Sequence, residues 1–168
     1  MSIPQKLLVM KSNPKQNTKP HPSALEDHLG FWMRYVSNQV SARFEAELVA
    51  HDVSVTEWVA LRALYAEAIT THAGLIDALG MTKGAASKII SKLEAKGLVV
   101  RDFVDGGARE QVLSLTAAGR RLVPKLSNVA DRNDDHFFGH LGERKRQQLI
   151  ADLQELVAYH QMKQVPVK

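Results

Sequence analysis

The chain has 168 residues, 45% of them apolar and 24% charged, which suits one ordinary domain with a real core. It holds no cysteine, which excludes disulfides, thiolate zinc sites, iron–sulfur clusters and cysteine nucleophiles. The net charge of +4 lies wholly in Lys6, Lys11, Lys15 and Lys19, so residues 23–168 are neutral and any attraction to nucleic acid depends on where their charges sit.

Residues 1–22 read as a flexible basic arm, with Pro4, Pro14, Pro20 and Pro22 and no acid. Over residues 23–50, Leu25, Leu29, Trp32, Val36, Val40, Phe44 and Leu48 recur every three or four positions. This spacing predicts one long amphipathic helix, too long for one small core to cover and therefore suited to a partner chain. Ser54 and Glu57 fit a capping box that opens a helix with Trp58, Leu61, Leu64 and Tyr65 as its buried stripe. A short helix fits 74–79 and ends at Gly80.

Thr82 is a suitable N-cap for a helix over 83–96. Ala85, Ala86, Ile89, Ile90 and Leu93 gather on one side of it, and Lys83, Gly84, Ser87, Lys88, Ser91 and Lys92 on the other. Gly97 stops it. Residues 98–104 are strand-like, Asp105, Gly106 and Gly107 form a hairpin-type turn, and 111–115 return. Thr116 caps a helix that contains Leu122, Val123, Leu126 and Val129, with Pro124 inside it as a kink or a lost hydrogen bond. A last helix over 143–162 sets Leu149, Leu153, Leu156, Val157 and His160 on one face.

The fold class is mainly α with a small β-hairpin: a winged helix-turn-helix domain (54–115) between helical dimerisation segments (23–53 and 116–162), with a tail at 163–168. The helix over 83–96 takes the place of the reading helix. Its polar side carries hydroxyls for base edges and lysines for phosphates, and the free N–H groups near Thr82 suit a phosphate. From Met81 to Arg101 there are five bases (Lys83, Lys88, Lys92, Lys96, Arg101) and one acid, Glu94.

The order of these pieces resembles a MarR-type transcriptional regulator over about residues 25–162. The resemblance rests on the stretches Thr82 to Ser87, Leu93 to Leu98 and Leu115 to Gly119, at their spacing in the chain. It implies a homodimer on palindromic double-stranded DNA, most often a repressor released by a small molecule. The DNA-binding set it suggests is Thr82, Lys83, Gly84, Ser87, Lys88, Ser91, Lys92, Arg101 and Arg109. The family wing often reads Asp-Arg-Arg, where this chain has Gly107, Ala108 and Arg109. The reading helix has Ser91 where an Asp often steadies the wing arginine. A more mobile wing with weaker minor-groove contact is the expectation.

The resemblance also points to an effector slot drawn from Trp32, Tyr35, His51, Trp58 and Arg62; a core role for the tryptophans is the competing assignment. Asp131, Asp134, Asp135, His136 and His140 are metal-like in composition but read as a solvated acidic segment, and neither metal nor cofactor is expected. No phosphate loop, nucleophile elbow or zincin motif supports an enzyme. No apolar run approaches the roughly 20 residues of a membrane helix, and a cytoplasmic location is expected. An architectural or protein-binding winged helix is the alternative to a regulator.

Overall fold

The computed structural model describes residues 22–67, 69–104 and 110–162. The arm over 1–21, the turn at Asp105 to Gly107, Arg109 and the tail 163–168 lie outside the described residues. The chain forms two compact units, Met1–Tyr35 and Val36–Lys168.

In the first unit a 3-10 helix spans Leu25–Asp27 and α1 begins at Leu29, running to Val49. The expected unbroken helix over 23–50 is therefore corrected. His28 is extended (φ −99°, ψ 122°) and separates the two segments. Side chains engage the Ala24 and Glu26 carbonyls, which a continuous helix would have paired, and cap the free Ala24 N–H. The Asp27 carboxylate accepts from the Ala24 N–H at 3.0 Å, and His28 Nδ1 donates to the Ala24 carbonyl at 2.9 Å. Trp32 Nε1–H donates to the Glu26 carbonyl at 2.9 Å.

In the second unit the core gathers Leu48, Leu61, Leu64, Leu75, Leu79, Ile90, Leu93, Leu113, Val123, Leu126 and Val129, all essentially inaccessible. Each such side chain contributes roughly 1.5–3 kcal/mol of transfer free energy. The turn after α1 places Asp52 at φ 52°, a left-handed conformation that aspartate tolerates better than most residues. α2 spans Val55–Glu67. Its capping box forms as the sequence indicates: the Ser54 hydroxyl accepts from the Glu57 N–H at 3.3 Å and the Glu57 carboxylate from the Ser54 N–H at 2.8 Å. Its stripe differs, because Tyr65 is exposed and Ala60 takes a buried place instead.

β1 (Ile69–Thr71) and α3 (His72–Leu79) follow. The strand was not anticipated, and α3 starts two residues before the expected Gly74, with Thr71 as its cap. α4 spans Lys83–Ala95, capped by the Thr82 hydroxyl at 3.3 Å from the Ala85 N–H. Gly97, at φ 66°, closes it with bonds to the carbonyls of Glu94 and, through Leu98, of Leu93. β2 (Val99–Val104) and β3 (Glu110–Leu115) pair antiparallel with Val99 opposite Leu115. β1 adds to the free edge of β3, so the expected two-stranded hairpin is a three-stranded sheet in the order β1-β3-β2.

α5 spans Ala117–Phe138 with Pro124 inside, and α6 spans Glu143–Tyr159. α6 stops three residues short of the expected Met162, with His160 as its C-cap. Asn133 on α5 is buried and bonded at both ends of its amide: it accepts from Arg43 at 3.0 Å and donates to the Val40 carbonyl at 3.2 Å. Asp134, one of the metal-like set, forms an ion pair with Arg146 of α6. Among the described residues no helix is long and apolar enough to cross a membrane.

Candidate nucleic-acid interface

α4 is anchored by one apolar side. Ala86, Ile89, Ile90 and Leu93 are buried against the core, whereas Ala85, expected beside them, is exposed. At 100° per residue Ala85 lies at the margin of that stripe, and the neighbouring elements leave it uncovered. The opposite side presents Thr82, Lys83, Gly84, Lys88, Ser91 and Lys92 to solvent. Among the described residues Lys83, Lys88 and Lys92 have no acidic partner. Nothing lies within 4 Å of a Cβ built on Gly84, so the helix start is open to a close-approaching phosphate.

Ser87 is not freely exposed. It is partly buried, and its hydroxyl lies 3.2 Å from His72 Nε2 on α3. The other two cations of the expected patch are engaged elsewhere. Arg101 on β2 pairs with Glu94 at 2.7 Å, and its buried Nε–H has no hydrogen-bond partner among the described residues. Lys96 turns to the α1–α2 corner, where its ammonium lies 3.0 Å from the Glu57 carboxylate and 3.6 Å from that of Asp52. The patch thus resolves into three free lysines rather than a net +4. Partners 7, 39 and 44 residues away in the chain decide this.

Burial pushes the Glu57 carboxyl up, but the Ser54 N–H and the Lys96 ammonium outweigh it and hold it below the ordinary carboxylate range. A depressed carboxyl contributes stability above its unfolded pKa, and this contribution is lost as the pH falls through the folded value. Lys96→Met should cost about 2–3 kcal/mol at neutral pH, because a buried carboxylate loses its cation. Denaturant titrations should also show a weaker loss of stability below about pH 4.5 than in the wild type. An equal acid sensitivity in both proteins would remove Lys96 as the cause.

The expected effector residues are placed as follows. On the first unit Trp32 and Tyr35 are exposed and join Phe31 in an aromatic cluster, with ring centroids 5.2 and 6.4 Å from it. On the second unit Trp58 packs edge-on against Phe44 at 6.5 Å, and Arg62 lies over its ring at 5.9 Å. His51, partly buried, sits in the turn closed by bonds to Leu48 and Val49. Lys96, Glu57 and His72 were missed as site-shaping residues. The sequence places Glu57 in the capping box and Lys96 in the basic patch but signals neither their ion pair nor the place of His72.

A family model described as the MarR family matches residues 51–110, which run from the turn before α2 through β1, α3, α4 and β2 to the first residue of β3. The chain resembles MarR-type winged-helix regulators. The transcriptional regulator HosA of Escherichia coli is 25% identical over 124 residues, covering 74% of this chain and 90% of that protein. A MarR-family regulator from Silicibacter pomeroyi is 25% identical, with a TM-score of 0.65 over 81% of this chain and 92% of that one. BpsR of Bordetella bronchiseptica, whose DNA binding is regulated by 6-hydroxynicotinic acid, shares the fold. Its TM-score is 0.71 at 20% identity, over 82% of this chain and 99% of that one. This MarR-type chain is a transcriptional regulator with a DNA-binding fold; its relatives and its fold are those of regulators rather than enzymes.

Proposed function

We propose that this MarR-type regulator binds double-stranded DNA as a homodimer, with α4 in the major groove of each half of a palindromic operator, and that a small molecule relieves its repression. The observation that carries this is α4 itself: three lysines without an acidic partner among the described residues and a hydroxyl row stand opposite a side buried through Ala86, Ile89, Ile90 and Leu93. Thr82, Lys83, Gly84, Ser87, Lys88, Ser91 and Lys92 form the proposed contact set, and Arg109 of the wing joins it from outside the described residues. Arg101 belongs to it only if DNA draws it from Glu94.

Apolar side chains left open on two helices support the dimer. Leu149, Ile150, Leu153, Leu156 and Val157 on α6 are all 38–52% exposed, a run that a single copy leaves wet. On α1, Leu29, Trp32, Met33, Tyr35 and Val36 are likewise open. Residues 23–53 and 116–162 are the proposed dimerisation segments and 54–115 the DNA-binding domain. The effector role of Trp32, Tyr35, His51, Trp58 and Arg62 remains part of this proposal. A guanidinium above a partly buried aromatic ring, as at Arg62 and Trp58, suits an aromatic acid, and the regulation of BpsR by 6-hydroxynicotinic acid is consistent with that chemistry.

Sedimentation with footprinting tests the reading. A dimer at micromolar protein and discrete protected sites with half-sites about 10 base pairs apart are expected. A monomer overturns the dimer and the paired geometry with it. Diffuse protection of any DNA favours an architectural winged helix instead.

A further inference from the structure

His72 opens α3 directly after its Thr71 cap. Its partly buried ring faces α4, and Nε2 lies 3.2 Å from the Ser87 hydroxyl. Ser87 has one hydroxyl hydrogen to give and two lone pairs to accept with. The direction of the bond to His72 therefore decides what Ser87 has left for a third group.

Building on the DNA-reading role of α4, we propose that His72 is a specificity-determining residue, which sets whether Ser87 offers DNA a hydrogen-bond acceptor or a donor. At neutral pH the ring is assigned the Nδ1–H tautomer, and the Ser87 hydroxyl donates to Nε2. The Ser87 oxygen then meets the outside only as an acceptor, matched by the amino groups of adenine and cytosine in the major groove. A protonated ring has donors on both nitrogens. Nε2–H then donates to Ser87, and the freed hydroxyl hydrogen suits guanine O6 and N7 or thymine O4.

The surroundings fix where the change occurs. Burial first, then the Arg101 guanidinium of β2 and the Lys83 ammonium of α4, push His72 below the ordinary histidine value. Glu94 of α4 tempers Arg101 through their ion pair. Of the other elements against α3, β1 carries no charged residue, and β3 has only Glu110, two residues beyond the Val112 that pairs with Thr71. α2 carries Glu57, Arg62 and Glu67, and α3 itself carries Asp77. The ring is thus neutral near pH 7 and charges only below the ordinary histidine value.

Selection from random double-stranded DNA at about pH 7.5 and about pH 5.5 tests this, with the wild type, His72→Gln and Ser87→Ala compared. One position in each half-site should move from adenine or cytosine to guanine or thymine on acidification, by about tenfold in the wild type. His72→Gln carries an amide that does not titrate. It should hold one preference at both pH values and bind random DNA as the wild type does. Ser87→Ala should lose discrimination at that position. The same wild-type preference at both pH values overturns the proposal, as does a shift that persists in His72→Gln. Suppose Ser87→Ala changes no position while loss of Lys88 still weakens binding: α4 then meets DNA, but this proposal fails. Should loss of Lys88 also have no effect, the DNA-contacting role of α4 itself falls.

Discussion

Gly119→Ala should destabilise the protein by about 2–4 kcal/mol, although alanine is the better helix former by roughly 1 kcal/mol. Gly119 lies buried in the first turn of α5, where a Cβ would overlap the Leu98 carbonyl oxygen and stand 3.2 Å from Leu115 Cδ2. That carbonyl cannot retreat freely. It accepts from the Thr116 N–H at 3.0 Å, and the Thr116 hydroxyl donates to the neighbouring Gly97 carbonyl at 2.7 Å. The start of α5 is therefore pinned to the end of α4, and added bulk must break one of these bonds or shift the wing strand that follows. Overpacking against backbone costs about 1–3 kcal/mol and each lost bond about 1 more, which outweighs the gain in propensity. Gly84→Ala is the control: its Cβ meets nothing within 4 Å, so it should be neutral or stabilise by about 0.5–1 kcal/mol. Thermal unfolding of both variants decides the matter. A Gly119→Ala midpoint at or above that of the wild type would show that the α4–α5 junction yields.

Replacing Lys83, Lys88 and Lys92 together by alanine should reduce the slope of log K against log salt by about 3. Each phosphate contact contributes about 0.9 to that slope, so at 0.1 M salt three contacts are worth roughly a hundred- to thousandfold in affinity. The three side chains are exposed and free of acidic partners among the described residues, so their loss should leave stability nearly unchanged. Operator and random DNA should weaken together, because phosphate contacts carry no base information. Fluorescence anisotropy across a salt series measures both quantities. An unchanged slope would place the phosphate contacts on another element. A selective loss on operator alone would assign the lysines to bases rather than phosphates.

The sequence by itself determined the features that depend on near neighbours. The Ser54–Glu57 box, the Thr82 and Thr116 caps and the stop at Gly97 each involve groups within five residues, and all form. The buried run Ala86, Ile89, Ile90 and Leu93 was legible for the same reason, since one helical period fixes which residues share a side. From these followed the order of helices and wing strands, and with it the resemblance to MarR-type regulators. The tertiary structure alone decided what depends on distant partners. β1 has only three residues, Ile69–Thr71, and becomes a strand because β3 offers it a free edge. Ala85 is open and Tyr65 exposed because no neighbouring element reaches them, which helical period cannot reveal. The break at His28 comes from side chains competing for backbone groups within one short stretch, which apolar spacing does not register. The same holds for charge. Lys83, Lys88 and Lys92 look like Lys96 and Arg101 in the sequence, yet Glu57, Asp52 and Glu94 claim the last two. A charge is free only when folding brings no opposite charge beside it, and that is a property of the packed molecule.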